Sequence, residues 1–215
     1  MSGLTNHQIN FINAAIDTKA LVFGEFTLKS GRISPYFFNA SRLLGSSRLT
    51  EVIDAFVAII QDDILNYDQI FGPAYKGTIF GSMVGMRLKD INPSLGLCFD
   101  RKEIKDHGEG GLFIGDEPKG KVIIIDDVLS AGTAAKASIN LIKESQADPK
   151  MLVIGLDRQE KGSGDLSARE ELQNLFELGV KSVISLDDLI RFVASQEEFN
   201  TWEEKLSLYR EEWGR

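Results

Sequence analysis

Apolar residues along the chain fall into two patterns, helical stripes spaced three to four apart and short uninterrupted runs, and the switches between them mark the elements. Ile9, Ile12 and Ile16 follow Thr5 and Gln8 at capping-box spacing, which predicts an N-terminal helix. Residues 23–40, FGEFTLKSGRISPYFFNA, hold two aromatic-rich segments parted by Ser30 and Gly31 and read as a hairpin. From Ser47 onward, Leu49, Val52, Ile53, Phe56, Val57 and Ile60 form the broad stripe of a core-facing helix. Ile70-Phe71 predicts a short strand, followed by GPAYKG (72–77) and an apolar helical stretch to about Leu88; Leu95 to Phe99 predicts another strand.

Val122 to Ile125 is an uninterrupted β-branched run, too short for a helix, and so predicts a strand buried on both faces of a parallel sheet. Asp126 and Asp127 are expected to end it, and Ala135, Ile139 and Ile142 then recur at helical spacing. Met151 to Leu156 predicts a further buried strand ending at Asp157-Arg158, before a loop over residues 160–165. Beyond it come a helix from Leu166 to Phe176, a strand from Val180 to Ser185, and a short helix capped by Asp187 with Leu189, Ile190 and Val193 inward. The stripe Phe199, Trp202, Leu206, Tyr209 and Trp213 reads as core packing or a partner face. This alternation predicts an α/β fold with a mostly parallel central sheet flanked by helices. The hairpin precedes the alternation and is expected to sit over the sheet as a hood.

At 215 residues the natural expectation is one domain spanning 1–215, with the hood over about 1–45. Lys plus Arg is 24 and Asp plus Glu is 32, a net charge of −8, which argues against nucleic acid or an anionic membrane as partner. The one cysteine, Cys98, cannot form an intrachain disulfide, and no Cys/His spacing suggests zinc; a cytoplasmic location is expected. No apolar run approaches the roughly 18 residues of a membrane span, and no basic-then-apolar leader opens the chain. Asn39-Ala40-Ser41 is then a chance sequon. GDEPKGK (115–121) mimics part of a nucleotide-binding P-loop but lacks the hydroxyl residue at Val122 and precedes a strand, so it reads as a turn.

Chemistry concentrates where strands meet helices. In open α/β sheets ligands bind outside the carboxyl ends of the strands, and a helix N-terminus attracts phosphate. Ser130, Ala131, Gly132, Thr133 and Ala134 form a small, hydroxyl-bearing loop at such a place; Gly132 permits close backbone approach to an anion. Two carboxylates beside it would repel phosphate unless they meet hydroxyls or a cation, and a sugar phosphate satisfies both halves. Tyr75 and Lys76 lie in a second glycine-rich turn, with Lys76 supplying a cation at the same edge. Residues 100–111, DRKEIKDHGEGG, gather Arg101, Lys102, Lys105 and His107 in a polar stretch expected to be a mobile loop, either merely solvated or a lid over an anionic substrate. Arg158 presents a planar fork suited to a carboxylate.

The run VIIIDDVLSAGTA resembles the phosphoribosyl-diphosphate (PRPP) signature of the type I phosphoribosyltransferases. Together with FGEFTLKSGRISPYFFN, FGPAYKG, DRKEIKDHGEGG and LDRQEKG, spread over residues 23–161, the chain is similar to the orotate branch of that family. The resemblance implies the type I phosphoribosyltransferase fold and Mg²⁺-dependent transfer of phosphoribosyl from PRPP to orotate in pyrimidine biosynthesis. It implies Asp126 and Asp127 at the ribose hydroxyls, with Mg²⁺ carried mainly by PRPP near them, and residues 130–134 at the 5′-phosphate. Tyr75 and Lys76 fall at the diphosphate, and Lys29, Phe37, Phe38 and Arg158 around orotate. It also implies a homodimer in which a catalytic loop of about residues 100–115, bearing Arg101, Lys102, Lys105 and His107, reaches the neighbouring subunit. Ser130 and Lys161 stand where threonine and arginine are common in the family. A purine or uracil acceptor, or a non-catalytic PRPP sensor, remain the competing expectations; a sensor would need no charged lid.

Overall fold

The computed structural model describes residues 3–28, 30–105, 111–162 and 164–215, with the backbone alone at 104 and 105. The opening helix, α1 (Asn6–Asp17), begins with the expected capping box: the Gln8 N–H donates to the Thr5 hydroxyl at 3.3 Å and the Thr5 N–H to the Gln8 side chain at 2.9 Å. Strands β1 (Leu21–Thr27) and β2 (Ile33–Phe38) pair antiparallel as a separate two-stranded hood. Helix α2 (Leu49–Ala58) then leads to β3 (Gln69–Gly72), α3 (Lys76–Leu88), β4 (Gly96–Lys105) and β5 (Gly111–Gly115). The remainder comprises β6 (Lys121–Leu129), α4 (Thr133–Glu144), β7 (Asp148–Asp157), α5 (Ala168–Phe176), β8 (Gly179–Ser185), α6 (Leu186–Ala194) and α7 (Glu203–Trp213).

The main sheet has the order β5-β4-β3-β6-β7-β8, parallel except at the β5 edge. Its centre is β6, where Val122, Ile123, Ile124 and Ile125 are all fully buried. Alternate residues feed opposite layers. Ile123 and Ile125 join Phe11, Phe56, Phe80 and Leu189 from α1, α2, α3 and α6. Val122 and Ile124 join Ile139, Ile142 and Leu172 from α4 and α5. Each such buried side chain contributes about 1.5–3 kcal/mol. The aromatic stripe near the C-terminus packs α6 and α7 against the hood: Phe23 lies 5.7 Å from the Phe199 ring and 5.8 Å from that of Trp202.

Three expectations need correction. Strand β6 does not end at Asp126 and Asp127 but continues to Leu129, because β7 keeps supplying ladder partners as far as Asp157. The two carboxylates therefore leave the strand on opposite faces. The polar segment from Asp100 is strand as far as Lys105, since an edge ladder with β5 needs only backbone groups; residues 106–110 lie outside the described residues. Helix α6 is capped by Ser185, which exchanges bonds of 3.2 and 2.9 Å with Asp188, whereas Asp187 accepts from Arg210 Nε at 3.0 Å and Gln159 at 2.8 Å.

Candidate active site

Beyond Leu129 the chain turns through Ser130, Ala131 and Gly132 into α4. Gly132 has φ +77° and stands at the helix cap position, where no side chain bonds the first N–H groups. An L residue is strained there, and the first N–H groups of α4 have no side-chain cap, which is the general character of an anion-binding helix start. With Asp126, Thr133, Ala134 and Leu152 this turn encloses a cavity of about 250 Å³.

The opposite exits of the two carboxylates give them different surroundings. Asp126 borders that cavity; burial first, then the charge of Asp127, pushes its carboxyl up to about 7. Asp127 is buried on the other face and ion-pairs with Lys76 at the start of α3, whose side chain is 38% exposed. The turn before α3 is held by the Ala74 N–H donating to Asp100, and the Ala74–Tyr75 peptide is cis.

A second cavity, of about 500 Å³, opens beneath the hood between Arg32, Phe37 and Phe38 on one side and Arg158, Glu160 and Lys161 on the other. Val128, Ser130 and Ala131 line both cavities, so the phosphate-type loop is a wall common to the two. Three cations and one carboxylate border the larger space, an excess suited to an anionic occupant with flat faces.

Arg158 is only 5% exposed and its guanidinium is extensively engaged. Nε donates to Glu160 at 2.6 Å, Nη2 donates to the Ser34 hydroxyl at 3.1 Å and the Tyr209 hydroxyl at 3.3 Å, and its centre lies 4.3 Å over the Tyr36 ring. Nη1 makes no hydrogen bond among the described residues. Glu160 also accepts from Tyr209 at 2.6 Å and Arg32 at 3.3 Å.

No family model matches the chain. It is 46% identical over 209 residues to the orotate phosphoribosyltransferase of Marinobacter nauticus, covering 97% of this chain and 99% of the relative. The chain belongs to the orotate phosphoribosyltransferase family. The orotate phosphoribosyltransferase of Haemophilus influenzae is 41% identical over 212 residues, covering 98% of this chain and all of the relative. The solved orotate phosphoribosyltransferase of Francisella tularensis superposes with a TM-score of 0.82 at 37% identity, over 95% of this chain and 99% of that one. Membership makes the chain a glycosyltransferase, specifically a pentosyltransferase of pyrimidine biosynthesis.

Within this phosphoribosyltransferase, Asp126, Ser130, Ala131, Gly132, Thr133 and Ala134 share the smaller cavity, and Phe37, Phe38 and Arg158 the larger. Tyr75 is 67% exposed, with the Lys102 ammonium 4.5 Å over its ring; Arg101 Nε donates to the Phe113 carbonyl at 3.3 Å. Lys29 and His107, and the Lys105 side chain, lie outside what the structure describes. Of the planar fork that Arg158 is expected to offer a carboxylate, Glu160 holds Nε and Ser34 and Tyr209 hold Nη2, which leaves Nη1 among the described residues. Periodicity and motif spacing do not single out Glu160, Ser34, Tyr209 or Arg32 as parts of this site. The signal for Glu160 was a carboxylate two positions beyond a buried arginine.

Proposed function

We propose that the chain transfers the phosphoribosyl group of PRPP to N1 of orotate, giving orotidine 5′-monophosphate and diphosphate. The observation that carries this reading is the wall common to the two cavities: a sugar seated across it has its phosphate on the 130–134 turn and its anomeric carbon toward the Phe37, Phe38 and Arg158 side. The C1′–oxygen bond to diphosphate breaks with its electron pair leaving on diphosphate, and the anionic N1 of orotate forms the new C1′–N bond. Positive charge on the sugar is tolerated by Asp126 and Asp127, and negative charge on the leaving group by Lys76 and the cations Arg101, Lys102, Lys105 and His107.

Among the described residues no three His, Cys, Asp or Glu side chains converge to hold a metal. Asp126, which borders the smaller cavity, is the carboxylate that would approach a Mg²⁺ ion carried mainly by substrate oxygens. The ion, when bound, supplies charge neutralisation of diphosphate; Lys76, Asp126 and Asp127 perform the remaining positioning described above.

The reading includes one domain over residues 1–215 and a homodimer. Tyr75 and Ile79 at the start of α3 and Ile114 on β5 are exposed apolar residues beside Arg101 and Lys102, and Met86 and Leu112 are exposed on the same two elements, which supports an interface carrying the 100–115 segment toward a second copy. Among the described residues no helix is long and apolar enough to cross a membrane, and a cytoplasmic location accords with the cysteine usage.

The test is loss of orotate absorbance in the presence of purified protein, PRPP and Mg²⁺. PRPP-dependent loss supports the reading; PRPP binding without turnover favours another base or a sensor, and a panel of free bases separates those two.

A further inference from the structure

The last helix reaches the base cavity from behind. The Tyr209 hydroxyl, from α7, bridges the Arg158–Glu160 pair: it donates to Glu160 at 2.6 Å and accepts from Arg158 Nη2 at 3.3 Å. Burial first, and then its bond to Glu160, raises the Tyr209 pKa, so the hydroxyl keeps the proton it donates. Ser34 completes the seat: its hydroxyl accepts from the same Nη2 at 3.1 Å and donates to the Tyr36 carbonyl at 2.7 Å.

The end of the chain is fastened to the segment bearing these groups. The Lys161 N–H donates to the Trp213 carbonyl at 2.9 Å, the Arg215 N–H to the Gln159 carbonyl at 3.0 Å, and the Arg32 guanidinium lies 4.8 Å over the Trp213 ring. Helix α7 is thereby joined to residues 159–161 on one side and to the hood on the other.

A guanidinium with Nε and Nη2 held has one amino group, Nη1, left for a ligand. Its direction follows from the plane imposed by Glu160, Ser34 and Tyr209. We infer that Tyr209 is a positioning residue for the base subsite: through Glu160 and Nη2 it fixes the Arg158 guanidinium so that Nη1 meets the acceptor base. Tyr209 itself does not line the base cavity. The inference rests on the orotate reading above and adds a residue of the C-terminal helix to the machinery that selects the base.

Tyr209→Phe keeps the ring, which packs edge-on to Tyr36 at 6.2 Å, and removes only the hydroxyl. The expected result is a five- to tenfold rise in KM for orotate, the scale of one buried hydrogen bond, with kcat and KM for PRPP within twofold of the parent. Ser34→Ala, which takes away the other acceptor of Nη2, should give the same split. A merely structural role would move kcat and both KM values together or none of them. A Phe variant with KM for orotate within twofold of the parent, or with KM for PRPP rising in step, overturns the inference while leaving the reaction intact. A parent protein that does not consume orotate overturns the reaction assignment and this inference with it.

Discussion

Asp126→Asn should make the protein more stable and a poorer catalyst, with both effects set by pH. The Asp126 carboxyl is pushed from 3.8 up to about 7 by burial and by Asp127, so folding favours its neutral form. The sign follows directly: stability attributable to this group is full below about pH 4 and lost as pH rises to about 7. Above the raised pKa the ionised carboxylate is a net cost to folding, on the order of a few kcal/mol. Asparagine has nearly the same shape and no charge. Urea denaturation should therefore show a gain in stability at pH 8 that shrinks toward pH 5. Activity moves the other way, because only the carboxylate accepts from ribose hydroxyls with full strength. Parent kcat/KM for PRPP should fall about tenfold from pH 8 to pH 6, whereas the Asn variant should run flat and about 10- to 100-fold lower, the scale of one lost charge-assisted bond. An Asn variant no more stable than the parent at pH 8, or one that keeps the acid limb, refutes the assignment and moves that limb to another group such as a substrate phosphate.

Other perturbations probe the remaining parts of the site. Gly132→Ala places a side chain at φ +77° and 3.4 Å from Ala168 Cβ, so about 1–2 kcal/mol of stability and several-fold affinity for PRPP should be lost, read by thermal melting and by KM. Glu160→Gln leaves Arg158 and Arg32 without their carboxylate; a loss of about 3 kcal/mol is expected for a buried pair broken on one side, seen as a lower urea midpoint at unchanged slope. Lys105→Ala should lower kcat by about 10²–10³ with little change in melting, if Lys105 stabilises departing diphosphate; near-parent kcat would remove it from the mechanism.

The central strands could be read from the chain because a parallel strand covered on both faces needs a continuous apolar run, and Val122 to Ile125 and Met151 to Leu156 supply one. Their extents could not be read so well. Whether β6 stops at Asp126 depends on whether β7 offers partners beyond Ile154, and it does, as far as Asp157. That continuation sends Asp126 and Asp127 to opposite faces, a fact with chemical consequences that two adjacent letters conceal. The seat of Arg158 was hidden for a different reason. Ser34 lies 124 residues away in sequence and Tyr209 lies 51 away, and Tyr209 sits inside a stripe whose spacing announces only packing. Periodicity reports which face is buried; it carries no information about where a hydroxyl on that face finds its partner.

The two ion pairs at the sheet edge differ in what a ligand can do to them. Arg158 and Glu160 have side chains only 7% and 5% exposed, and Glu160 holds bonds from Arg158, Tyr209 and Arg32 together. Breaking it leaves a buried charge unpaired, so no ordinary ligand displaces it, and the base end of the site is fixed before substrate arrives. Lys76 is 38% exposed and its pair with Asp127 has solvent on one side. A diphosphate can take over that ammonium at small cost, since the cation exchanges one anion for another while staying hydrated. On that reading the exchange would release Asp127 from its cation as the ribose hydroxyls arrive to replace it. On the proposed reading, arrival of PRPP would convert a self-neutralised pair into two separate contacts with one substrate, and the rigidity behind Arg158 would let the acceptor base meet that substrate at a fixed angle.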